Sequence, residues 1–350
     1  MLLLRKILFP LAAVYHFITS LRNLLYDKGI FRSYSFDVPV IAIGNLSTGG
    51  TGKSPMTEYL IRLLSKKYTV ATLSRGYKRQ SKGFLLAGDY ATAETLGDEP
   101  YQFHKKFPEA TVAVDADRVN GIKKLLELRP KPQVIILDDA FQHRRVRAGY
   151  YILLTAYSDL YKDDFLLPTG NLRESRRGAK RASMIVVTKC PPDLSIQKQH
   201  AIAVKLRVTA KQTVFFSSIA YDGKVFSESA FVEASAMKLT PKVLVAGIAK
   251  PAPFFSHLQH PGDTLLEFDD HHDFSAADVA KITSAASGKP IVTTEKDYMR
   301  LSGKLKGENL YYLPIKTEFL SSVEAFDKSL LDFCAAFPKT NSGQLHDRNR

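Results

Sequence analysis

The sequence predicts an α/β protein: a mostly parallel sheet covered by helices, followed by a smaller α/β lobe. Three observations carry this. Short Val/Ile/Leu-rich runs alternate with helical patterns between residues 38 and 206, and apolar strands set between helices belong to parallel sheets covered on both faces. The alternation resumes from Lys242. A glycine-rich turn, Ser47-Thr48-Gly49-Gly50-Thr51-Gly52-Lys53-Ser54, joins the first strand to the first helix of the core.

In chain order, Met1 to Tyr26 reads MLLLRKILFPLAAVYHFITSLRNLLY. Arg5, Lys6, His16 and Arg22 interrupt its apolar run, which falls short of the roughly 20 apolar residues that a spanning helix needs. No small-residue cleavage site follows, as a secretory signal would require. The segment reads either as a helix packed on the protein's own core or, the reading preferred here, as a helix over 1–28 lying in the membrane interface, basic residues toward anionic headgroups. The core, 29–212, carries expected strands at 38–43, 69–73, 111–114, 133–137, 151–155 and 184–188, with helices at 54–66, 98–107, 116–128 and 194–206. Residues 213–235, with the hairpin-like turn Tyr221-Asp222-Gly223-Lys224, read as a two-stranded linker. The C-terminal lobe, 236–338, repeats the theme at Lys242–Gly247, Thr264–Phe268, Ile291–Thr294 and Leu310–Leu313, and a polar tail, 339–350, is expected to fray.

At 350 residues, 45% hydrophobic and 24% charged, the chain is globular and long enough for both lobes. Cys190 and Cys334 form no CxxC motif, so neither a disulfide framework nor a thiolate zinc site is implied, which points to a reducing compartment. Lys plus Arg is 49 against 35 Asp plus Glu, a net charge of +14. That surplus favours an anionic partner: phospholipid, nucleic acid or a phosphorylated substrate.

The glycine-rich turn is the clearest chemical signal. Gly49, Gly50 and Gly52 allow backbone N–H groups to converge on phosphate oxygens. The following helix N-terminus adds partial positive charge. Lys53 offers a point charge to the β and γ phosphates and Ser54 a hydroxyl to Mg²⁺. The pattern wants glycine at position 47, where this chain has Ser47. An ordinary glycine-rich turn is the alternative, disfavoured by the strand before and the helix after.

Other candidates are more ambiguous. Strand 133–137 ends in Asp138-Asp139, as a carboxylate holding Mg²⁺ beside a phosphate loop would; a solvent-facing turn is the alternative. Asp98, in Gly97-Asp98-Glu99-Pro100, reads as a helix N-cap or as a carboxylate taking a proton from a substrate hydroxyl. Asp115 and Asp117, next to Arg118, pose the same choice. Phe268-Asp269-Asp270-His271-His272-Asp273-Phe274 reads as a polar loop, a His–carboxylate pair or a metal site. Asn171-Leu172-Arg173-Glu174-Ser175-Arg176-Arg177 reads as a phosphate grip or as a solvated basic helix face.

Taken together, these residues resemble the tetraacyldisaccharide 4′-kinases, the lipid A 4′-kinases. The matching segments are Gly44-Asn45-Leu46 with the loop that follows, Leu73-Ser74-Arg75-Gly76-Tyr77, Gly97-Asp98-Glu99-Pro100, Asp138-Asp139-Ala140-Phe141-Gln142-His143, Gly170-Asn171-Leu172-Arg173-Glu174, Phe268-Asp269-Asp270-His271-His272 and Thr293-Thr294-Glu295-Lys296-Asp297. The chain departs from the family pattern at Ser54, Lys78, Ala140 and Ala249-Lys250, in loop geometry rather than chemistry. The resemblance implies a P-loop kinase core and transfer of the ATP γ-phosphate to the 4′-hydroxyl of an acylated glucosamine disaccharide 1-phosphate. It implies Asp98 as base with His271 beside it, Lys53 and Arg173 neutralising charge, and Ser54 and Asp138 on Mg²⁺. Asp139, His143 and Glu174 would support metal or water, and Arg118, Gln142 and His143 would contact substrate. A monomer at the cytoplasmic face of the bacterial inner membrane is expected.

Two other readings compete. A membrane-associated P-loop ATPase or GTPase would share the loop, but the related ATPase variant has Lys where Thr48 stands, and Val187-Thr188-Lys189-Cys190 lacks the Asp of a guanine motif. A nucleic-acid-binding protein is suggested by charge alone; the absence of Trp, zinc motif and RNP-like segment argues against it.

Overall fold

The computed structural model of the protein describes residues 7–270, 272–305 and 309–337; His271 and the tail 339–350 lie outside the described residues. The first lobe contains β1 (Val40–Asn45), β2 (Val70–Ser74), β3 (Leu85–Leu86), β4 (Thr111–Val114), β5 (Val134–Leu137), β6 (Tyr150–Ala156), β7 (Met184–Thr188) and β8 (Thr213–Tyr221). The second contains β9 (Lys224–Phe226), β10 (Phe231–Glu233), β11 (Val243–Ala246), β12 (Thr264–Glu267), β13 (Ile291–Thr294) and β14 (Leu310–Leu313), after which β15 (Ile315–Phe319) rejoins the first sheet. The described strands form a nine-stranded sheet, β15-β8-β7-β6-β1-β5-β2-β4-β3, and a six-stranded sheet, β10-β9-β14-β13-β11-β12.

β1 is central and pairs in parallel with both β5 and β6. Its residues are buried on both faces, which explains the unbroken apolar run. Ile41 and Ile43 face Met56, Leu60, Ile61 and Leu64 of helix Lys53–Leu64. Val40 and Ala42 face Val119, Ile122 and Leu125 of helix Arg118–Leu126, as a two-residue side-chain period requires. Each such Leu or Ile contributes about 1.5–3 kcal/mol on full burial. Together these contacts fix the loop between β1 and its helix on rigid elements.

The domain boundaries need correction. β8 is no part of a separate linker: it pairs in parallel with β7 and antiparallel with β15. The Asp222-Gly223 turn is a corner between sheets rather than a hairpin, because β9 pairs with β10 and β14. Nor does the second lobe extend to 338. Helix Val323–Ala335 packs Phe326, Leu330 and Cys334 into the cluster under Ile41. The cause is an aromatic nest: the Phe326 ring lies 4.3 Å from that of Phe319 and 5.2 Å from that of Phe215.

Helix Phe9–Asp27 lies against the first lobe through a narrow face. Ala12 and Thr19 are buried, and Tyr15, Arg22 and Asn23 hydrogen-bond to the core. Leu11, Val14, Phe17, Ile18, Leu21 and Leu24 remain exposed. No described helix is long and apolar enough to cross a membrane.

Candidate active site

The site is built at the C-terminal ends of β1 and β5. Gly49 and Gly52 have φ of 114° and 81°, left-handed values that cost a side-chain-bearing residue strain. Ser47 is tolerated where glycine was expected because it does not turn. It bridges Leu172 in antiparallel fashion, and Thr48 N–H donates to the Asn171 carbonyl at 2.7 Å. Asn45 Nδ2 donates to Thr51 Oγ1 at 2.9 Å, and Thr188 Oγ1 donates to the Thr51 carbonyl at 2.8 Å, so the loop is pinned from both sides. Helix Lys53–Leu64 starts at Gly52 without a side-chain cap, leaving its first N–H groups for an anion.

Asp139 closes the mouth of this loop. Its backbone is left-handed, φ 45°, which turns it away from Asp138. Lys53 Nζ lies 3.6 Å from its carboxylate, and Arg173 Nη1 donates to both oxygens at 3.1 and 3.2 Å. Burial pushes the Asp139 carboxyl up, but Lys53, Arg173 and Arg118 outweigh it, and its pKa falls below the usual range. Arg173 also reaches Asn45 Oδ1 at 3.0 Å and the Ser47 carbonyl at 3.2 Å. It is therefore tied into the loop itself rather than lying on a solvated helix face.

Asp138 behaves oppositely. It is buried, and burial together with the Asp139 charge raises its pKa to about 6. Thr57 and Ser74 hydroxyls donate to it at 3.3 and 3.4 Å. Ser54 precedes Thr57 by three residues and so shares its helix face, on the Asp138 side. These are hard oxygen donors around an under-compensated anion, which suits Mg²⁺. No group of three or more His, Cys, Asp or Glu among the described residues could hold a metal; a Mg²⁺ here would share its shell with phosphate oxygens and water, its usual habit.

Glu174 and Arg118 are buried and His143 is half-buried. Glu174 does not join Ser54 and Asp138. Its carboxylate accepts from Asn23 at 2.8 Å, Gln142 at 3.1 Å and Arg181 at 2.7 Å, tying the N-terminal helix to the site. Arg118, expected to grip substrate, is 2% exposed. It braces the Asp115 and Asp138 carbonyls at 3.3 and 3.2 Å, and burial lowers its pKa to about 10. His143 is held neutral, its pKa lowered to about 4 by burial and then by Arg118. Gln142 bonds the Asn45 carbonyl at 2.8 Å and stays partly accessible beside Arg173.

Asp98 and Asp117 resolve the cap question differently. Asp117 is a true N-cap, accepting from Val119 and Asn120 N–H at 3.1 and 3.4 Å. Asp98 is not: Gly97, φ 91°, holds the cap position, and Asp98 receives Arg300 from helix Glu295–Leu301 of the second lobe. Arg300 also donates to the His272 carbonyl at 3.4 Å, bringing the 268–274 loop to Asp98. His272 itself pairs with Asp278 at 3.0 Å, within the capping box of helix Ala276–Ala286, which accounts for one of the two adjacent histidines. Lys296 meets Glu99 at 2.8 Å, and Lys106 bridges Glu58 and Glu295 at 2.8 and 2.7 Å. Sequence reasoning missed Arg300 and Lys106. Their only signal was position: Arg300 lies three residues after Asp297 and four after Lys296, on one helix face.

Fold and site together define a P-loop protein that binds a nucleoside triphosphate, with a second lobe docked through helix Asp98–Lys106. The comparisons with known proteins narrow that class. Residues 4–335 match the family described as LpxK, tetraacyldisaccharide-1-P 4'-kinase, and the chain belongs to that family. The tetraacyldisaccharide 4'-kinase of Flavobacterium johnsoniae is 58% identical over 331 residues, 95% of this chain and 97% of that protein. The protein of the same name from Bacteroides thetaiotaomicron is 46% identical over 343 residues, 91% and 90% of the two chains. The crystal structure of "apo" form LpxK from Aquifex aeolicus in complex with ATP shares 32% identity at a TM-score of 0.76, covering 94% of this chain and 99% of that one.

Proposed function

We propose that this chain transfers the γ-phosphate of ATP to the 4′-hydroxyl of tetraacyldisaccharide 1-phosphate, a step in making lipid A. The observation that carries the chemistry is the convergence of Lys53 and Arg173 on Asp139 at the mouth of the phosphate loop. Phosphoryl transfer asks chiefly for positioning and charge neutralisation, and those two cations stand where the charge would develop. Ser54 and Asp138 would hold Mg²⁺, which when bound neutralises phosphate oxygens. Asp98 takes the proton of the acceptor hydroxyl once its carboxylate exchanges Arg300 for substrate. Arg300 is carried by the second lobe, so lobe movement governs that exchange.

The exposed apolar stripe of helix Phe9–Asp27 supports a peripheral membrane attachment, at the cytoplasmic face of the inner membrane where ATP is at hand. The inner face of that helix touches Arg173, Gln142 and Glu174, so membrane seating and site geometry share one element. The test is ATP-dependent labelling of the detergent-solubilised lipid, with Lys53→Ala as control. Labelled lipid lost in the variant supports the reading; ATP hydrolysis without labelled lipid would favour a lipid-independent ATPase.

A further inference from the structure

Lys189 has no part in the scheme above, yet it stands against the phosphate loop. It follows β7 with a left-handed backbone, φ 57°. The corner is rigid: Thr188 Oγ1 donates to the Thr51 carbonyl at 2.8 Å, Tyr157 N–H to the Thr188 carbonyl at 2.8 Å, and Cys190 N–H to the Ser217 carbonyl at 3.0 Å. A Cβ built on Gly50 would lie 3.6 Å from Lys189 Nζ, so the ammonium sits at the loop's outer rim. Lys53, Lys250 and Lys296 all act on it electrostatically, and its pKa is lowered first by desolvation and then by Lys250, Lys296 and Lys53. Lys53 is paired with Asp139 and Lys296 with Glu99. Among the described residues no carboxylate forms an ion pair with Lys189 or Lys250, although Lys250 lies within the field of Asp159.

An ammonium held against a phosphate-binding loop without a matching carboxylate is in electrostatic deficit, and an anion relieves it. We propose that Lys189 forms a phosphate-binding subsite on the outer rim of the glycine-rich loop. Its ligand is a phosphate group on one of the two phosphorylated molecules this site handles, the nucleotide or the lipid 1-phosphate. The proposal rests on the kinase reading and adds a residue that the family motifs quoted above do not contain. The Lys189 side chain is partly desolvated beside the loop, but the residue keeps an exposed surface and makes no ion pair among the described residues, so its removal should leave the fold intact.

The experiment compares wild type, Lys189→Met, Lys189→Arg and Lys53→Ala. MgATP affinity is measured by calorimetry, and KM is measured for the lipid with and without its 1-phosphate. Loss of one charge-assisted contact predicts about a tenfold effect for Lys189→Met, largely restored by Lys189→Arg, with unchanged melting temperature. Weakened MgATP binding with unchanged lipid KM assigns the subsite to the nucleotide. A raised KM confined to the 1-phosphorylated lipid assigns it to the lipid. Both values within twofold of wild type, while Lys53→Ala loses transfer, overturn the subsite and leave the kinase reading standing. Failure of wild type to phosphorylate lipid sinks the kinase reading, while calorimetry still decides whether Lys189 binds nucleotide phosphate.

Discussion

Replacing Lys106 with Met tests how the lobes are held. Lys106 bridges Glu58 of the first lobe and Glu295 of the second, at 2.8 and 2.7 Å. The side chains are 14%, 2% and 4% exposed, so this is a nearly dry triad. Removing one partner of such a group costs about 3 kcal/mol or more, because buried charge is left uncompensated. At about 2–4 °C per kcal/mol for a domain of this size, the melting temperature should fall by roughly 6–12 °C. The loss should depend on pH. The Glu295 carboxyl is already raised to about 7 by burial and by Glu58. A carboxyl raised in the folded state stabilises when protonated, and that contribution is lost as pH rises through its folded pKa. Without Lys106 the folded pKa climbs further, so Lys106→Met should be most damaging near pH 8.5 and much less so near pH 5.5. Scanning calorimetry at both values is the assay. A fall under about 2 °C at pH 8.5, or one equal at both pH values, refutes the buried clasp.

Three other perturbations separate the parts of the site. Asp98→Asn should lower kcat by about 10² or more and leave ATP affinity unchanged; unchanged turnover would remove Asp98 as base. Arg173→Ala should cost about 10²–10³ in kcat, the scale of losing a preorganised charge donor, and Arg173→Lys should recover little, since an ammonium cannot span Asp139, Asn45 and Ser47; full rescue by Lys would contradict the spanning role. Serine at Leu11, Val14, Phe17 and Ile18 together should abolish binding to anionic vesicles, while Asn23→Ala should keep vesicle binding and lower kcat through Glu174. Vesicle binding that survives the serine variant would exclude the interfacial face.

The sheet was legible because parallel strands covered on both faces leave continuous apolar runs, as at Val134–Leu137 and Met184–Thr188. The return of β15 was not, because nothing local distinguishes a strand that leaves its lobe; the Phe215, Phe319 and Phe326 contacts that pull it back are long-range. At the site, the phosphate loop and Asp138-Asp139 could be read because backbone geometry demands those residues at that spacing. The family resemblance implies Glu174 on metal or water and Arg118 on substrate, roles that need both side chains to reach outward. Both are buried and braced, and that burial depends on partners such as Asn23 for Glu174 and Asp138 for Arg118, 151 and 20 residues away in sequence. Asp98 and Asp117 look alike in sequence, each opening a helix. Only the left-handed Gly97 and the arrival of Arg300 separate them.

The most direct test is transfer from γ-labelled ATP to two lipids, the tetraacyl disaccharide 1-phosphate and its analogue lacking the 4′-hydroxyl. Label should enter only the first, and only with Lys53 intact. Equal labelling of the analogue, or hydrolysis of ATP with neither lipid labelled, would contradict a 4′-kinase acting at this phosphate loop.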